Sequence, residues 1–180
     1  MGYKHFVVYL NKISGNAALD MGYTHYFSAQ REITPEEWER LIKEAKHVLA
    51  KLSKSVHIQY EFNDSRSAQV TKRGIHFNGA GDDGHETFVL KYRPERAGFE
   101  SAGYPYGFDF CKTGGKPYDL AVCAVLMLAA SVAPGWLDIS SDGDRVDWQD
   151  ALDFMRSVFP DFDFTCVTWL GDMADFIEAV

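Results

Sequence analysis

The sequence predicts an α+β fold: a mixed, largely antiparallel sheet with helices packed on one face. Three observations carry this expectation. The segments "GIHFNG" and "ETFVLKYR" flank the turn signal "GAGDDG" and read as a hairpin. Two segments, starting at Thr34 and Asp147, have an apolar stripe at helical spacing behind a capping residue. A third helical segment, from Pro117, is apolar all round. Meandering strands in the middle with helical crossovers on either side produce layered sheet and helix.

Taken in order, "HFVVYL" reads as a strand and "NKISGNAALD" as a polar connector. The chain then restarts with "MGYTHYF", an echo of its opening "MGYKHF". Residues 1–20 are therefore read as an N-terminal extension, and residues 21–180 as a single α+β domain. "YTHYF" is rich in strand formers and places His25 on one face. In "ITPEEWERLIKEAKHVLAKL", Thr34 caps, Pro35 suits the first helical position and Glu37 completes a capping box. "SVHIQYEF" alternates as a strand does, ahead of the hairpin that carries His85 and Glu86 at its turn.

From Arg93 to Lys116 the periodicity dissolves into about 24 residues of Gly, Pro, aromatic and charged positions. Loops of that length in compact domains are uncommon and are often functional. Phe99, Tyr104, Tyr106, Phe108 and Phe110 lie within it and are expected to form a cover. The apolar run Leu120 to Ala133, about fourteen residues, is too short to span a bilayer and suits a buried helix. "GWLDISS" reads as a strand, "DGD" as a turn, and "VDWQDALDFMRSVF" as a helix capped by Asp147. "FDFTCVTWL" reads as a last strand and "DMADFIEAV" as a short terminal helix.

Composition narrows the function classes. A 180-residue chain with 46% hydrophobic residues can build one core, so disorder is excluded. The net charge of −8 disfavours non-specific nucleic-acid binding and anionic membranes, which both need a positive surface. It leaves a small ligand in a locally basic pocket, or a basic protein partner. Cys111, Cys123 and Cys166 are odd in number and contain no C-x-x-C pair, and there is no signal peptide. That pattern reads as reduced thiols in a cytoplasmic protein.

The segments "MGYTHYF", "FNGAGDDGHETFVL", "FDFCKTGGKPYDLAVCAVL" and "ISSDGD" together resemble a family of small uncharacterised bacterial and phage proteins. Members of that family typically open on Met-Gly-Tyr-Thr-His-Tyr. The resemblance covers about Met21 to Phe159. It implies that His25, His85, Glu86, Cys111, Lys112, Lys116, Tyr118, Asp119 and Asp142 fall in signature segments. It supplies a grouping and no mechanism.

The stretch "CKTGGKPYD" carries most of the chemistry. A helix start leaves N–H groups unpaired and partially positive. Lys112 and Lys116 add charge, and Gly114 and Gly115 let the backbone approach a ligand. Lys112, Gly114, Gly115, Lys116 and Tyr118 are therefore the candidate binding set for a phosphate or carboxylate. The same pattern also fits a turn with solvated lysines. The spacing is not that of a Walker loop, and Pro117 stands where Ser or Thr is needed. His25, His85 and Cys111 are the catalytic candidates: two acid–base groups and a nucleophile activated by nearby lysines. Cys111 flanked by Phe110 also fits plain packing, and Cys123 and Cys166 read as core.

"DISSDGDRVDWQ" matches part of a calcium loop but ends on Gln149 where a bidentate Glu is required. Asp142 and Asp144 read instead as turn and capping residues, so no metal set is assigned, and no cofactor is identified. Two functions stand. One is binding, with or without turnover, of a small anionic ligand at residues 111–119. The other is an acidic protein–protein interaction module, such as a phage-encoded inhibitor of a host or defence protein.

Overall fold

The computed structural model describes residues 23–94, 103–104 and 106–161. In chain order the elements are β1 (Thr24–Ala29), α1 (Pro35–Leu52), β2 (Ile58–Gln59), β3 (Gln69–Val70) and β4 (Gly74–Gly79), followed by a 3₁₀ turn at Gly81–Asp83. They continue with β5 (Phe88–Lys91), β6 (Phe108–Lys112), α2 (Asp119–Val132), β7 (Leu137–Ser141) and α3 (Arg145–Val158). This is an α+β arrangement, and its strand pairings among the described residues are antiparallel.

β1 is the centre of a three-stranded sheet with β6 on one side and β7 on the other. β4 organises the second sheet: β5 runs along one edge, while β2 and β3 share the other. The hairpin expected around "GAGDDG" is thus β4 and β5, with Ile75 opposite Leu90 and Phe77 opposite Phe88. The inward set of this hairpin, Ile75, Phe77, Phe88 and Leu90, joins the core. The two sheets meet where Glu86 N–H donates to the Lys112 carbonyl at 3.2 Å.

α1 forms where its sequence indicates. Thr34 and Glu37 close a reciprocal capping box, and Trp38, Leu41, Ile42, Ala45, Val48, Leu49 and Leu52 bury one stripe. α2 is flanked by α1 and α3 and buries twelve of its fourteen residues, so a helix with almost no polar face sits at the centre. Tyr118, rather than Pro117, is its capping position, because Pro117 belongs to the turn that precedes it.

The structure revises four local expectations. α3 is capped by Asp144, and Asp147 is the third helical residue that closes the box, because Asp144 Oδ1 reaches the Val146 and Asp147 N–H groups. "SVHIQYEF" yields only the two-residue β2, since the chain turns after it and the Tyr60 N–H donates to the Arg66 carbonyl at 2.7 Å. The aperiodic stretch 93–116 contains a strand, β6: alternation in "FDFCK" was obscured by an aromatic on each outward position. Phe108 and Phe110 therefore belong to a sheet face, not to a loop cover. The expected elements at "HFVVYL", "FDFTCVTWL" and "DMADFIEAV" lie outside the described residues, as do Phe99, Cys166 and the whole of the extension 1–20.

The α1 entry carries a pH signature. Arg31 grips Glu37 through two bonds of 2.7 and 2.8 Å, and this guanidinium, assisted by the Thr34 N–H, holds the Glu37 carboxyl at about 2. A carboxyl with a depressed folded pKa stabilises fully above its unfolded value near 4.5 and loses that contribution as pH falls through about 2. Both side chains are partly exposed, so the pair contributes about 1 kcal/mol or less. Glu37→Gln is expected to lower stability by about 1 kcal/mol at pH 7 and by progressively less towards pH 2, as read from urea unfolding at a series of pH values.

Candidate functional site

A buried polar centre lies where the first sheet meets the start of α2. Antiparallel register sets Cys111 of β6, His25 of β1 and Ser141 of β7 in one row across the sheet. Directly opposed residues share a face, so all three side chains project towards α2. His25 is fully buried, and its Nε2 lies 2.7 Å from Asp119 Oδ1. Its Nδ1 lies 3.0 Å from Ser141 Oγ, which also accepts the Gly143 N–H at 3.0 Å. Thr113 Oγ1 donates to Asp119 Oδ1 at 2.5 Å. Cys123, one turn further along α2, places its Sγ 3.6 Å from Asp119 Oδ2 and 3.7 Å from His25 Nε2. Tyr23 and Trp148 wall the imidazole in with edge-on contacts at 5.2 and 4.9 Å.

Burial makes this centre energetically demanding. A buried carboxylate is tolerated only with full hydrogen bonding, and removing one partner of such a pair typically costs about 3 kcal/mol. Asp119 satisfies that condition through His25, Thr113 and Cys123. Burial, and then the neighbouring carboxylate, push the Cys123 thiol well above its ordinary value.

The glycine–lysine loop is built differently from an anion cradle. Gly114 and Gly115 both take left-handed φ, at 61° and 65°, and the Lys116 N–H closes on the Thr113 carbonyl at 3.2 Å. Positive φ at both central positions defines a type I′ turn, which explains the paired glycines without a ligand. Thr113 and Gly114 N–H groups both donate to the Tyr23 carbonyl, and Asp119 N–H donates to the Lys116 carbonyl. Lys116 Nζ donates to the Asp82 carbonyl at 2.9 Å. Lys112 N–H donates to Glu86 Oε2 at 2.7 Å. The loop's donors are thus largely committed to the protein, including the Glu86 carboxylate and the Asp82 carbonyl.

The catalytic candidates separate. His25 and Cys111 share the inner row of the sheet, but Cys111 is fully buried. Burial pushes its thiol up to about 12, only partly offset by Tyr118, so it remains protonated at neutral pH. That environment is one of packing. Tyr118 is also fully buried, and its hydroxyl donates to the Glu86 carbonyl at 2.6 Å. His85 stands on the far side of the loop, its Cδ2 3.3 Å from where a Cβ on Gly114 would lie. The buried Asn78 side chain pins the His85 backbone from both sides. His25 and His85 thus serve different places. Asp142 and Asp144 keep turn and capping roles, with Asp142 Oδ2 accepting the Thr24 N–H at 3.1 Å.

Sequence reasoning missed the chemistry of Thr113, Asp119, Cys123 and Ser141. One signal was available: Asp119 and Cys123 are four apart on a helix and therefore lie on one face. Ser141 had no local signal, because strand register alone brings it to His25.

A second feature lies on the outer face of the β3–β4–β5 sheet. A concavity of about 880 Å³ is lined by Lys72, Arg73, His76, Lys91, Tyr92 and Arg93, among others. Among the described residues its lining contains four cations of Lys and Arg type and no carboxylate. Alternation explains it: His76, Val89 and Lys91 point outward because Ile75, Phe77, Phe88 and Leu90 point inward. The walls are anchored, since Trp38 Nε1 donates to the Lys72 carbonyl and Trp38 packs on Tyr92 at 5.4 Å. Burial lowers the His76 pKa, against the opposing pull of Glu61 at 3.2 Å.

Comparisons with protein-family models, curated proteins and solved structures returned no match. Among the described residues no helix is long and apolar enough to cross a membrane.

The burial of both described cysteines has a direct readout. Alkylation of the native protein at pH 8 is expected to leave Cys111 and Cys123 unmodified while denatured protein reacts fully at both, as read by peptide mass spectrometry. Rapid native labelling of Cys111 would contradict the packing role.

Proposed function

We propose that this protein binds a small anionic, phosphate-bearing ligand, and that the ligand docks on the outer face of the second sheet rather than at the 111–119 loop. One observation carries this reading: a chain of net charge −8 gathers Lys72, Arg73, Lys91 and Arg93 around one concavity without a carboxylate in its described lining. Clustering like charges costs repulsion, which a bound anion relieves. The volume suits a ligand of nucleotide size, within the range of about 300–1,000 Å³ typical of such sites. Arginines supply forked donors for phosphate oxygens, and Arg93 is carried over the Tyr92 ring, which itself packs on Trp38. This keeps the ligand class expected from the sequence and relocates its binding residues.

A screen of nucleotides and phosphorylated metabolites by thermal shift, followed by calorimetry, tests the assignment. Arg73→Glu/Arg93→Glu is expected to weaken the best ligand at least about tenfold, a loss near 1.4 kcal/mol, with Lys112→Ala/Lys116→Ala unchanged. The opposite pattern would return the site to the loop, and a screen without any stabilising ligand would end this proposal.

A protein partner is the second reading, favoured by an aromatic strip on the outer face of the first sheet. Phe108 contacts Tyr26, Tyr104 and Phe110 there, and Phe110 is 48% exposed. An aromatic strip on an acidic chain suits a basic protein surface, such as that of a host or defence protein. Phe110→Ser is expected to abolish capture of such a partner from lysate at low ionic strength while leaving nucleotide binding intact; retained capture would set the strip aside.

A further inference from the structure

We propose that His25, Asp119 and Cys123 form a binding site for a divalent ion of the zinc class. Their ligand atoms lie within 4.8 Å of one another, and all three residues are buried. Imidazole, carboxylate and thiolate together are a donor set that suits this borderline-soft ion. The site is independent of the anion-binding concavity, and neither proposal depends on the other.

The geometry of Cys123 makes the argument. A thiol carries one hydrogen, yet Sγ approaches both Asp119 Oδ2, at 3.6 Å, and His25 Nε2, at 3.7 Å. Around a tetrahedral zinc with bonds of about 2.3 Å to sulfur and about 2.0–2.1 Å to nitrogen and oxygen, neighbouring ligand atoms stand about 3.3–3.6 Å apart. The two sulfur distances fit such edges. The spacing of Asp119 and Cys123 on one face of α2 sets two ligands on one rigid element, and β1 delivers the third.

The outer atoms of the ligands are already held. Metal-bound histidines donate their remaining N–H to a fixed acceptor, and bound carboxylates are themselves hydrogen-bonded. Ser141 Oγ stands 3.0 Å from His25 Nδ1, and Thr113 Oγ1 holds Asp119 Oδ1, leaving Oδ2 directed at Cys123. Without metal, Nε2 faces Asp119 and Nδ1 faces Ser141, whose hydroxyl donates or accepts as the imidazole tautomer requires. With metal, the lone pair of Nε2 binds the ion and Nδ1–H donates to Ser141, whose hydroxyl serves equally as donor or acceptor. The contact between Nε2 and Oδ1 opens from 2.7 Å as its proton leaves. The Cys123 S–H bond breaks and a metal–sulfur bond forms. Starting from a neutral imidazole, the ring proton ends on Nδ1 and the thiol proton passes to solvent, one per ion, and no electron changes hands. Three protein ligands leave a fourth coordination position on a tetrahedral ion.

Cobalt(II) and zinc are the probes. Full-length reduced protein is stripped with chelator, dialysed and titrated with cobalt(II). The site is expected to give a sulfur-to-cobalt charge-transfer band that saturates at one ion per chain, and zinc is expected to displace it. Cys123→Ser is expected to lose the band and His25→Gln to lower cobalt affinity more than about tenfold, whereas Ser141→Ala keeps the band and weakens affinity by about 10–100-fold. If Cys123→Ser does not fold, the Cys111→Ser/Cys166→Ser variant decides, because Cys123 is then the one thiol in the chain. Absence of the band in wild type, or its survival in folded Cys123→Ser, overturns the assignment.

Discussion

The contact between His25 and Asp119 is the constraint around which the rest is arranged. It ties the start of the central strand to the first residue of a helix that has almost no polar face. An apolar helix has no intrinsic register against a sheet, because any rotation buries similar surface. One buried polar pair with a fixed geometry removes that freedom. Thr113 fixes the carboxylate from the loop side, Ser141 fixes the imidazole from β7, and Tyr23 and Trp148 close the remaining directions. The type I′ turn at Gly114 and Gly115 follows from this, since it must bring Thr113 and Asp119 to the same point within six residues.

The two sheets divide the surface by charge and polarity. The first sheet turns its polar row inward at His25 and its aromatic strip outward at Tyr26, Phe108 and Phe110. The second turns an apolar row inward at Ile75, Phe77, Phe88 and Leu90 and its cations outward. Glu86 is the junction: its backbone reaches β6 and Tyr118, and its carboxylate accepts the Lys112 N–H. Four of the chain's 18 Lys and Arg residues thus share one concavity, separate from the buried His25 centre.

How far these features were legible differs by scale. The α1 cap, the hairpin and the strand at Leu137–Ser141 depend on neighbours within a few residues, and local pattern sufficed for them. β6 was hidden because its outward positions carry aromatics and the glycine- and proline-rich residues before it mask the alternation. The loop 111–119 concentrates polar residues in the sequence, yet its glycines answer to turn geometry and its N–H groups to Tyr23 and Thr113. Its value lies in delivering Thr113, Tyr118 and Asp119 inward.

By itself the sequence determined the α+β class, the capped first helix, the buried character of the apolar helix and the concentration of polar residues before it. Periodicity and capping are local, so they are written in the order of residues. Only tertiary structure decided that His25 meets Asp119, Cys123 and Ser141, which lie 94, 98 and 116 residues away. Only sheet pairing decided that Lys72, Arg73, Lys91 and Arg93 share one concavity. Strand register converts a one-residue difference into opposite faces, and no short window of sequence contains the partner that sets it.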